Sequence, residues 1–244
     1  MPLRVAFDLD GTIADMHVAL RKEGERLFGA ADSPTRVGQP GTDPRAKDET
    51  APVNAPADKP ETDRVMADMP LTGRQQMRLW EHVKTIENFW GGLPEMEPGI
   101  VARIAQTAAT RRWEVLFLTT RPLVAGETVQ IQSQRWLQAH GFPLPSVFVV
   151  QRSRGRIAEA LELDAVVDDR PENCLDVAVD SKAKPILIWA GDPKRVPPGA
   201  KRLGVRVVSS IADALELLIT LDDLKNELGV VRSIKKFFGK ETAV

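Results

Sequence analysis

Short apolar runs alternate with longer amphipathic stretches along most of this chain. The apolar runs span residues 5–7, 115–118, 147–150, 165–167 and 186–189. Continuous apolar runs of this length predict strands that are buried on both faces. The stretches between them carry apolar residues at the three- and four-residue spacing of a helix packed on one side. The pattern therefore predicts an α/β fold in which helices cover both faces of a central parallel sheet.

Helical periodicity, together with glycine and proline positions, gives the remaining elements. Thr12 is predicted to cap the first helix, because its hydroxyl can accept a hydrogen bond from an unpaired amide of the first turn. A sixth strand is predicted at residues 206–208, on the edge of the sheet. We predict helices over residues 11–28, 73–89, 99–109, 127–140, 155–163, 172–179 and 211–218.

The composition changes sharply between residues 31 and 63. Six of the 18 prolines lie in this segment, which contains no Leu, Ile, Phe or Trp. It cannot bury enough apolar surface to offset the entropy lost on ordering, so a disordered loop is predicted. The loop belongs to an insertion, residues 16–97, which we interpret as a small helical cap. Residues 1–15 and 98–220 then form the core domain, and residues 221–244 form a helical C-terminal tail.

Bulk properties restrict the class of protein and its partners. The 244 residues suffice for one α/β domain with an insertion, and 43% hydrophobic with 27% charged residues is ordinary for a soluble protein. A net charge of −1 favours neither a nucleic-acid polymer nor a membrane surface as partner. Cys174 is the single cysteine, so no internal disulfide can form, and no signal pattern precedes the first strand. We therefore expect a cytoplasmic protein; a homodimer remains open.

Two acids follow the first predicted strand directly. Asp8 and Asp10 end the apolar run, and Gly11 then lets the backbone turn. The carboxyl end of a central strand is where open α/β sheets bind their ligands. Burying two acids there is unfavourable unless a positive group compensates them. Carboxylate oxygens are the ligands that Mg²⁺ prefers, so the sequence predicts a magnesium site at this edge of the sheet.

The segment Asp8-Leu9-Asp10-Gly11-Thr12 resembles the first motif, D-x-D-G-T, of the haloacid dehalogenase (HAD) superfamily of phosphohydrolases. That superfamily has a phosphate-binding Ser or Thr at the end of its second strand. Thr119 is the best match for this residue, and Thr120 is a close alternative. The resemblance implies a Rossmann-like three-layer sandwich with a central parallel sheet and a small helical cap.

The third and fourth motifs of the superfamily also have candidates. Arg154 is favoured as the basic third-motif residue and Arg152 is the alternative, although many relatives carry Lys at this point. Asp168 and Asp169 end the fourth predicted strand and resemble the acidic fourth motif. Helix capping would explain one of these two acids, but not both. Acids at the ends of two different parallel strands are expected to converge on one cation.

The resemblance implies a Mg²⁺-dependent phosphomonoester hydrolase. Asp8 would attack phosphorus to form an aspartyl phosphate, and Asp10 would protonate the leaving alcohol and later deprotonate water. Thr119, or Thr120, and the third-motif arginine would hold the phosphoryl oxygens.

The same resemblance gives the expected metal ligands. The implied cofactor is Mg²⁺, bound by Asp8, Asp169 and the backbone carbonyl of Asp10. Asp168 is expected to hold a water bound to the metal.

Two patches narrow the expected substrate. Residues 87–99 and 168–173 resemble the 5′(3′)-deoxyribonucleotidase group, so the small phosphorylated substrate could be a nucleoside monophosphate. Trp80, Phe89 or Trp90 could stack on its base, although a place in the core is favoured for Trp80.

Two functions other than a phosphatase also share features with this sequence. One is a phosphate-binding or regulatory HAD-like protein with little turnover, which the arginine in the third motif leaves open. The other is a receiver-type signalling domain, which also uses an aspartate cluster. Receivers carry their phosphorylated Asp on a later strand and lack a large insertion, so this alternative is disfavoured.

Overall fold

Six parallel strands form one sheet in the computed structural model of the chain, which describes residues 2–29, 71–151 and 153–238, with side chains as far as residue 227. Their order across the sheet is β3-β2-β1-β4-β5-β6, and every neighbouring pair is parallel. The predicted parallel sheet and its edge strand are therefore confirmed. The strands are β1 (Arg4–Asp8), β2 (Glu114–Thr119), β3 (Ser146–Val149), β4 (Ala165–Asp168), β5 (Lys184–Ile188) and β6 (Arg206–Val208).

Helices connect the strands on both sides of the sheet. The described residues also include two 3₁₀ turns, Phe89–Gly92 and Pro193–Arg195. The α-helices are α1 (Met16–Phe28), α2 (Gly73–Thr85), α3 (Ile100–Arg111), α4 (Val129–Ala139), α5 (Arg154–Ala160), α6 (Pro171–Asp180), α7 (Pro198–Arg202) and α8 (Ile211–Phe238). The sequence pattern did not indicate α7 or the turn before it, because both are too short to show a helical period.

Alternating side chains of the strands contribute to apolar clusters on opposite faces. Val5 and Phe7 of β1 pack in a cluster with side chains of α1 to α4 and α8. Ala6 and Val166 face the other way, toward side chains of α5 and α6. Full burial of a side chain such as Phe7 stabilises the fold by about 1.5–3 kcal/mol. The molecule is thus the three-layer Rossmann-like sandwich that the pattern predicted.

The first helix begins later than predicted. Residues 11–14 form a tight turn instead of a helix, with Gly11 at a φ of +82°. Asp15 caps α1 by accepting a hydrogen bond from the Val18 amide at 2.9 Å. The prediction that Thr12 caps the first helix is therefore wrong. The Thr12 hydroxyl donates to Asp169 Oδ1 at 3.2 Å, which ties the turn to the end of β4.

The second helix ends earlier than the predicted residue 89. It stops at Thr85, and Asn88 then adopts a left-handed conformation with a φ of 55°. The amide of Asn88 donates to the Ala125 carbonyl at 2.8 Å, and its side-chain oxygen accepts from the Glu127 amide at 2.9 Å. These bonds fix the segment after α2 to the loop after β2, which no local pattern in the sequence could indicate.

The last helix is much longer than predicted. The sequence pattern predicts one helix over residues 211–218 and a separate helical tail from residue 221, whereas the structure has a single helix over this region. In the structure Arg111 Nη1 donates to Asp222 at 3.1 Å and to Asp223 at 2.7 Å. The hydrogen bonds that Arg111 donates to Asp223 and Asp222 raise the pKa of Arg111. The two acids are paired with α3, so α8 continues through them to Phe238.

Part of the predicted organisation lies outside the described residues. This applies to the proline-rich loop at 31–63 and to residues 239–244 of the tail. The division into core and cap stays a prediction; buried side chains of α1 and α2, such as Leu20 and Leu79, share one cluster with β1. No described helix has the length and apolar character needed to cross a membrane.

Candidate active site

The acids predicted from the sequence end two neighbouring strands. Phe7 of β1 pairs with Val167 of β4, so Asp8 and Asp168 follow at the same level. The sheet order also reverses here, because the chain crosses from β3 past β1 to reach β4. Ligands of open α/β sheets bind at such a switch point, outside the carboxyl ends of the strands.

Arg154 joins Asp8 and Asp168 on the face covered by α5 and α6. Its Nη2 donates to Asp8 Oδ1 at 2.5 Å, and its Nε lies 3.9 Å from Asp168 Oδ2. Arg154 is the first residue of α5, whose N-cap Ser153 accepts from the Arg156 amide. With Asp8 1% and Arg154 3% exposed, the pair is shielded from water, which strengthens its electrostatic attraction.

Asp168 is held from three directions. Its Oδ1 accepts from the Arg170 amide at 2.8 Å, and Asn173 Nδ2 donates to both carboxylate oxygens at 2.9 and 3.1 Å. Burial raises the pKa of Asp168, and the nearby Arg154 charge opposes this shift. The helix that follows begins at Pro171 without a side-chain hydrogen bond from its N-cap residue, Arg170.

Asp10 lies just beyond the end of β1, beside the end of β2. Arg121 binds it through Nε, 2.9 Å from Oδ1 and 2.8 Å from Oδ2, and through Nη2, 2.6 Å from Oδ1. Thr119 Oγ1 donates to Asp10 Oδ2 at 3.2 Å. Arg121 was missed at the sequence level. Its place directly after two threonines at a strand end was the available signal, but only the fold shows which acid it meets.

Asp169 extends from the end of β4 over the turn after β1. An added Cβ at Gly11 would lie 2.4 Å from Asp169 Oδ2, so only glycine lets the carboxylate approach this closely. Asp169 is partly exposed. Desolvation, followed by the negative charges of Asp168 and Asp8, raises the pKa of Asp169 well above its usual value. Burial is thus the main cause of the raised pKa of Asp169, and the neighbouring carboxylates add to it.

The donor set fits a hard divalent cation only in part. Among the described residues, no group of three or more His, Cys, Asp or Glu side chains is arranged to enclose a metal ion. Mg²⁺, however, is commonly held by one or two carboxylates, with water and substrate phosphate completing its shell. The carboxylates of Asp8 and Asp169 are the candidates for such a partial shell, since the charge of Asp8 contributes to the raised pKa of Asp169.

The structure thus brings six predicted residues to one edge of the sheet: Asp8, Asp10, Thr119, Arg154, Asp168 and Asp169. Thr120, the alternative to Thr119, is partly exposed. Arg152, the alternative to Arg154, lies outside the described residues. The choice between Arg154 and Arg152 therefore stays a prediction, which the contact between Arg154 and Asp8 supports.

The aromatic residues proposed for base stacking are core residues. Trp90 is fully buried and Phe89 is 8% exposed, so neither ring face is open to a ligand. Trp80 is half-buried and packs on Trp90, with 6.3 Å between ring centroids. The expectation that Phe89 or Trp90 stacks on a base is therefore wrong, and the favoured core position of Trp80 agrees with its packing.

Solved structures with the same architecture include several hydrolases. A hydrolase from Pseudomonas syringae has 16% identity and a TM-score of 0.51, covering 90% of this chain and 99% of that one. A predicted phosphatase from Clostridium acetobutylicum has 12% identity and a TM-score of 0.54, covering 90% and 99%. A HAD family hydrolase from Deinococcus radiodurans R1 with bound phosphate and sodium has 12% identity and a TM-score of 0.51, covering 91% and 97%.

At these identities the likeness is one of fold. Neither a scan against protein-family models nor a search of curated proteins gave a match to this chain.

Proposed function

We propose that the chain is a phosphomonoester hydrolase that works through an aspartyl phosphate on Asp8. One observation carries this proposal: two buried carboxylates, Asp8 and Asp10, stand at the switch point of the sheet, each bound by its own buried arginine. Sharing a fold with structures named as hydrolases and phosphatases supports the reaction class, and the phosphate bound to one of them supports the ligand.

Asp8 is the proposed nucleophile. Its carboxylate oxygen forms a bond to phosphorus while the bond from phosphorus to the leaving alcohol breaks. Arg154 holds Asp8 in place, and its positive charge would stabilise the negative charge on the phosphoryl oxygens. Thr119 contributes a hydroxyl at the end of β2, next to Asp10. Charge neutralisation matters because a phosphate dianion repels an attacking carboxylate.

Asp10 is the proposed proton-transfer residue. It gives a proton to the leaving oxygen in the first step and removes a proton from water in the second. Water then attacks the phosphorus of the aspartyl phosphate, which releases inorganic phosphate and restores Asp8.

Mg²⁺ is the proposed cofactor, bound by Asp8, Asp169 and the backbone carbonyl of Asp10, with Asp168 holding a metal-bound water. When bound, the ion would neutralise charge on the transferring phosphoryl group. Asp8 and Asp168 add negative charge beside Asp169, and a divalent cation would compensate that charge.

The proposed substrate is a small phosphorylated metabolite, with a nucleoside monophosphate as the first candidate. Residues 87–99 and 168–173 carry that suggestion through their resemblance to deoxyribonucleotidases. A second candidate function is phosphate binding with little turnover. The engagement of both Asp10 oxygens by Arg121 and Thr119 favours it, because an acid held this way must be released before it can act.

Turnover of p-nitrophenyl phosphate by the full chain, with Mg²⁺ or with EDTA, tests the proposal. Nucleoside monophosphates, sugar phosphates and phosphoglycolate extend the panel. Asp8→Asn is expected to abolish Mg²⁺-dependent turnover, whereas Asp213→Asn, a surface change on α8, is expected to keep it. Acid-quenched wild-type protein should carry a phosphoryl adduct by mass spectrometry.

Two results would redirect the assignment. Mg²⁺-dependent turnover that persists in Asp8→Asn would exclude Asp8 as nucleophile. Wild-type protein that binds inorganic phosphate but hydrolyses none of the panel would favour the binding function.

A further inference from the structure

Arg121 has no role in the hydrolysis proposed above, yet its side chain is completely buried against Asp10. Three contacts of 2.6–2.9 Å join its Nε and Nη2 to the two carboxylate oxygens. A guanidinium that binds both oxygens fixes the rotation of a carboxylate as well as its position. Arg121, together with the Thr119 hydroxyl, therefore fixes the orientation of the Asp10 carboxylate.

The guanidinium of Arg121 is itself fixed by groups from two further elements. Its Nη1 donates to Ser133 Oγ of α4 at 2.9 Å, and its Cζ lies 5.1 Å from the ring centroid of Trp90. Trp90 is held in turn, because its amide donates to Gln132 Oε1 and its ring nitrogen to the Pro122 carbonyl, each at 3.1 Å. The contacts with Ser133 and Trp90 thus fix the orientation of the Arg121 guanidinium beside Asp10.

A direct contact between Arg121 and substrate does not fit this arrangement. Nε and Nη2 are directed to Asp10, Nη1 is directed to Ser133, and no part of the side chain reaches the surface. Arg154 differs, since it donates to Asp8 and not to Asp10. The two arginines therefore serve different acids.

We propose that Arg121 is a positioning residue that orients the Asp10 carboxyl group for proton transfer. The inference rests on the proposed hydrolysis. As the oxygen of Asp8 bonds to phosphorus and the phosphorus–alcohol bond breaks, the proton on Asp10 passes to the departing oxygen. Because Ser133 and Trp90 retain the guanidinium, the acid turns one oxygen toward the substrate while Arg121 keeps hold of the other.

Substrates whose leaving groups differ in their need for protonation distinguish a positioning role of Arg121 from a purely structural one. Benzyl phosphate needs its departing alkoxide protonated, whereas p-nitrophenyl phosphate has a leaving group that departs without help. Single-turnover rates time only the phosphoryl transfer to Asp8. We expect Arg121→Met to lower the single-turnover rate with benzyl phosphate by about 100-fold and the rate with p-nitrophenyl phosphate by less than about 10-fold. KM should change by less than about 3-fold.

Two further variants keep the test decisive if Arg121→Met folds poorly. Ser133→Ala leaves the ion pair intact and removes one anchor of the guanidinium, so a smaller loss confined to benzyl phosphate is expected. Asp10→Asn combined with Arg121→Met should be no slower than Asp10→Asn alone, because Arg121 acts only through Asp10. Arg111→Met, which breaks an ion pair far from the site, serves as the matched control and should change neither rate.

Equal losses on both substrates, a raised KM for p-nitrophenyl phosphate, or a double variant slower than Asp10→Asn would each overturn the positioning role. A wild-type chain that hydrolyses neither substrate would overturn the proposed function, and this inference with it. Active wild-type protein with an unaffected Arg121→Met overturns the inference alone.

Discussion

At the scale of single residues, Gly11 allows Asp169, at the end of β4, to approach the turn that follows Asp10. Its φ of +82° turns the chain immediately after Asp10, and its missing side chain leaves room for Asp169. Gly99 has a similar φ of +78° but no atom within 4 Å of the place where a Cβ would stand. Substitutions at Gly11 and Gly99 therefore distinguish the effect of backbone strain from that of steric contact.

Gly11→Ala is expected to destabilise the protein more than Gly99→Ala. Both substitutions impose a left-handed conformation on alanine, at a cost of about 1–2 kcal/mol. Only the former also forces the Asp169 carboxylate away from the turn, which should reduce Mg²⁺-dependent turnover. Urea unfolding gives the two free energies of unfolding; equal losses and unchanged turnover would show that the approach of Asp169 to Gly11 is unimportant.

The sequence indicated some site residues and not others for a physical reason. Asp8, Thr119 and Asp168 end apolar runs, and parallel strands bring their carboxyl ends to one edge whatever the loops do. Arg121 also follows a strand, but its importance depends on a partner 111 positions away and on burial by Trp90. Neither property leaves a mark in the local pattern.

At the scale of elements, the strands and most helices followed from periodicity, whereas helix ends depended on side-chain contacts. Thr12 and Asp15 are both good capping residues, so composition alone could not choose between them. The close approach of Asp169 over Gly11 draws Thr12 toward β4 and leaves the capping position to Asp15. Similarly, α8 continues past residue 218 through Asp222 and Asp223. These two acids pair with Arg111, which lies on a helix about a hundred residues earlier.

Asp15→Ala is expected to lower the free energy of unfolding by about 1 kcal/mol, because the Val18 amide loses its acceptor at the start of α1. Asp15→Ser should recover most of that loss, since serine is also a good N-cap residue. Urea titration of the two variants measures the difference. An unchanged midpoint for Asp15→Ala would mean that solvent satisfies this helix end equally well.

At the scale of the whole molecule, the fold assembles acids from both sides of the switch point, so a cation there joins segments distant in sequence. The pKa of Asp169 is raised in the folded chain, above the ordinary value of 3.8. A raised acid pKa means that the folded state binds its proton more tightly than the unfolded state. Without metal, stability is therefore lost as pH rises from the ordinary value through the raised one.

Mg²⁺ is expected to raise the melting temperature, and more so at higher pH. The ion competes with the proton for the carboxylate, so its stabilising effect grows as the proton is removed. A concentration of 100 times Kd should stabilise the protein by about 2.7 kcal/mol. Asp169→Asn should remove this response, and Asp213→Asn should retain it. A thermal shift that is independent of pH, or that survives Asp169→Asn, would place the ion elsewhere.

The two ion pairs of the site are held by different helices. Asp8 and Arg154 belong to the layer of α5 and α6, while Asp10 and Arg121 belong to the layer of α4. Each half is supported by its own helices and its own ion pair. A substitution in the helix that anchors one of these arginines can therefore leave the contacts of the other arginine in place.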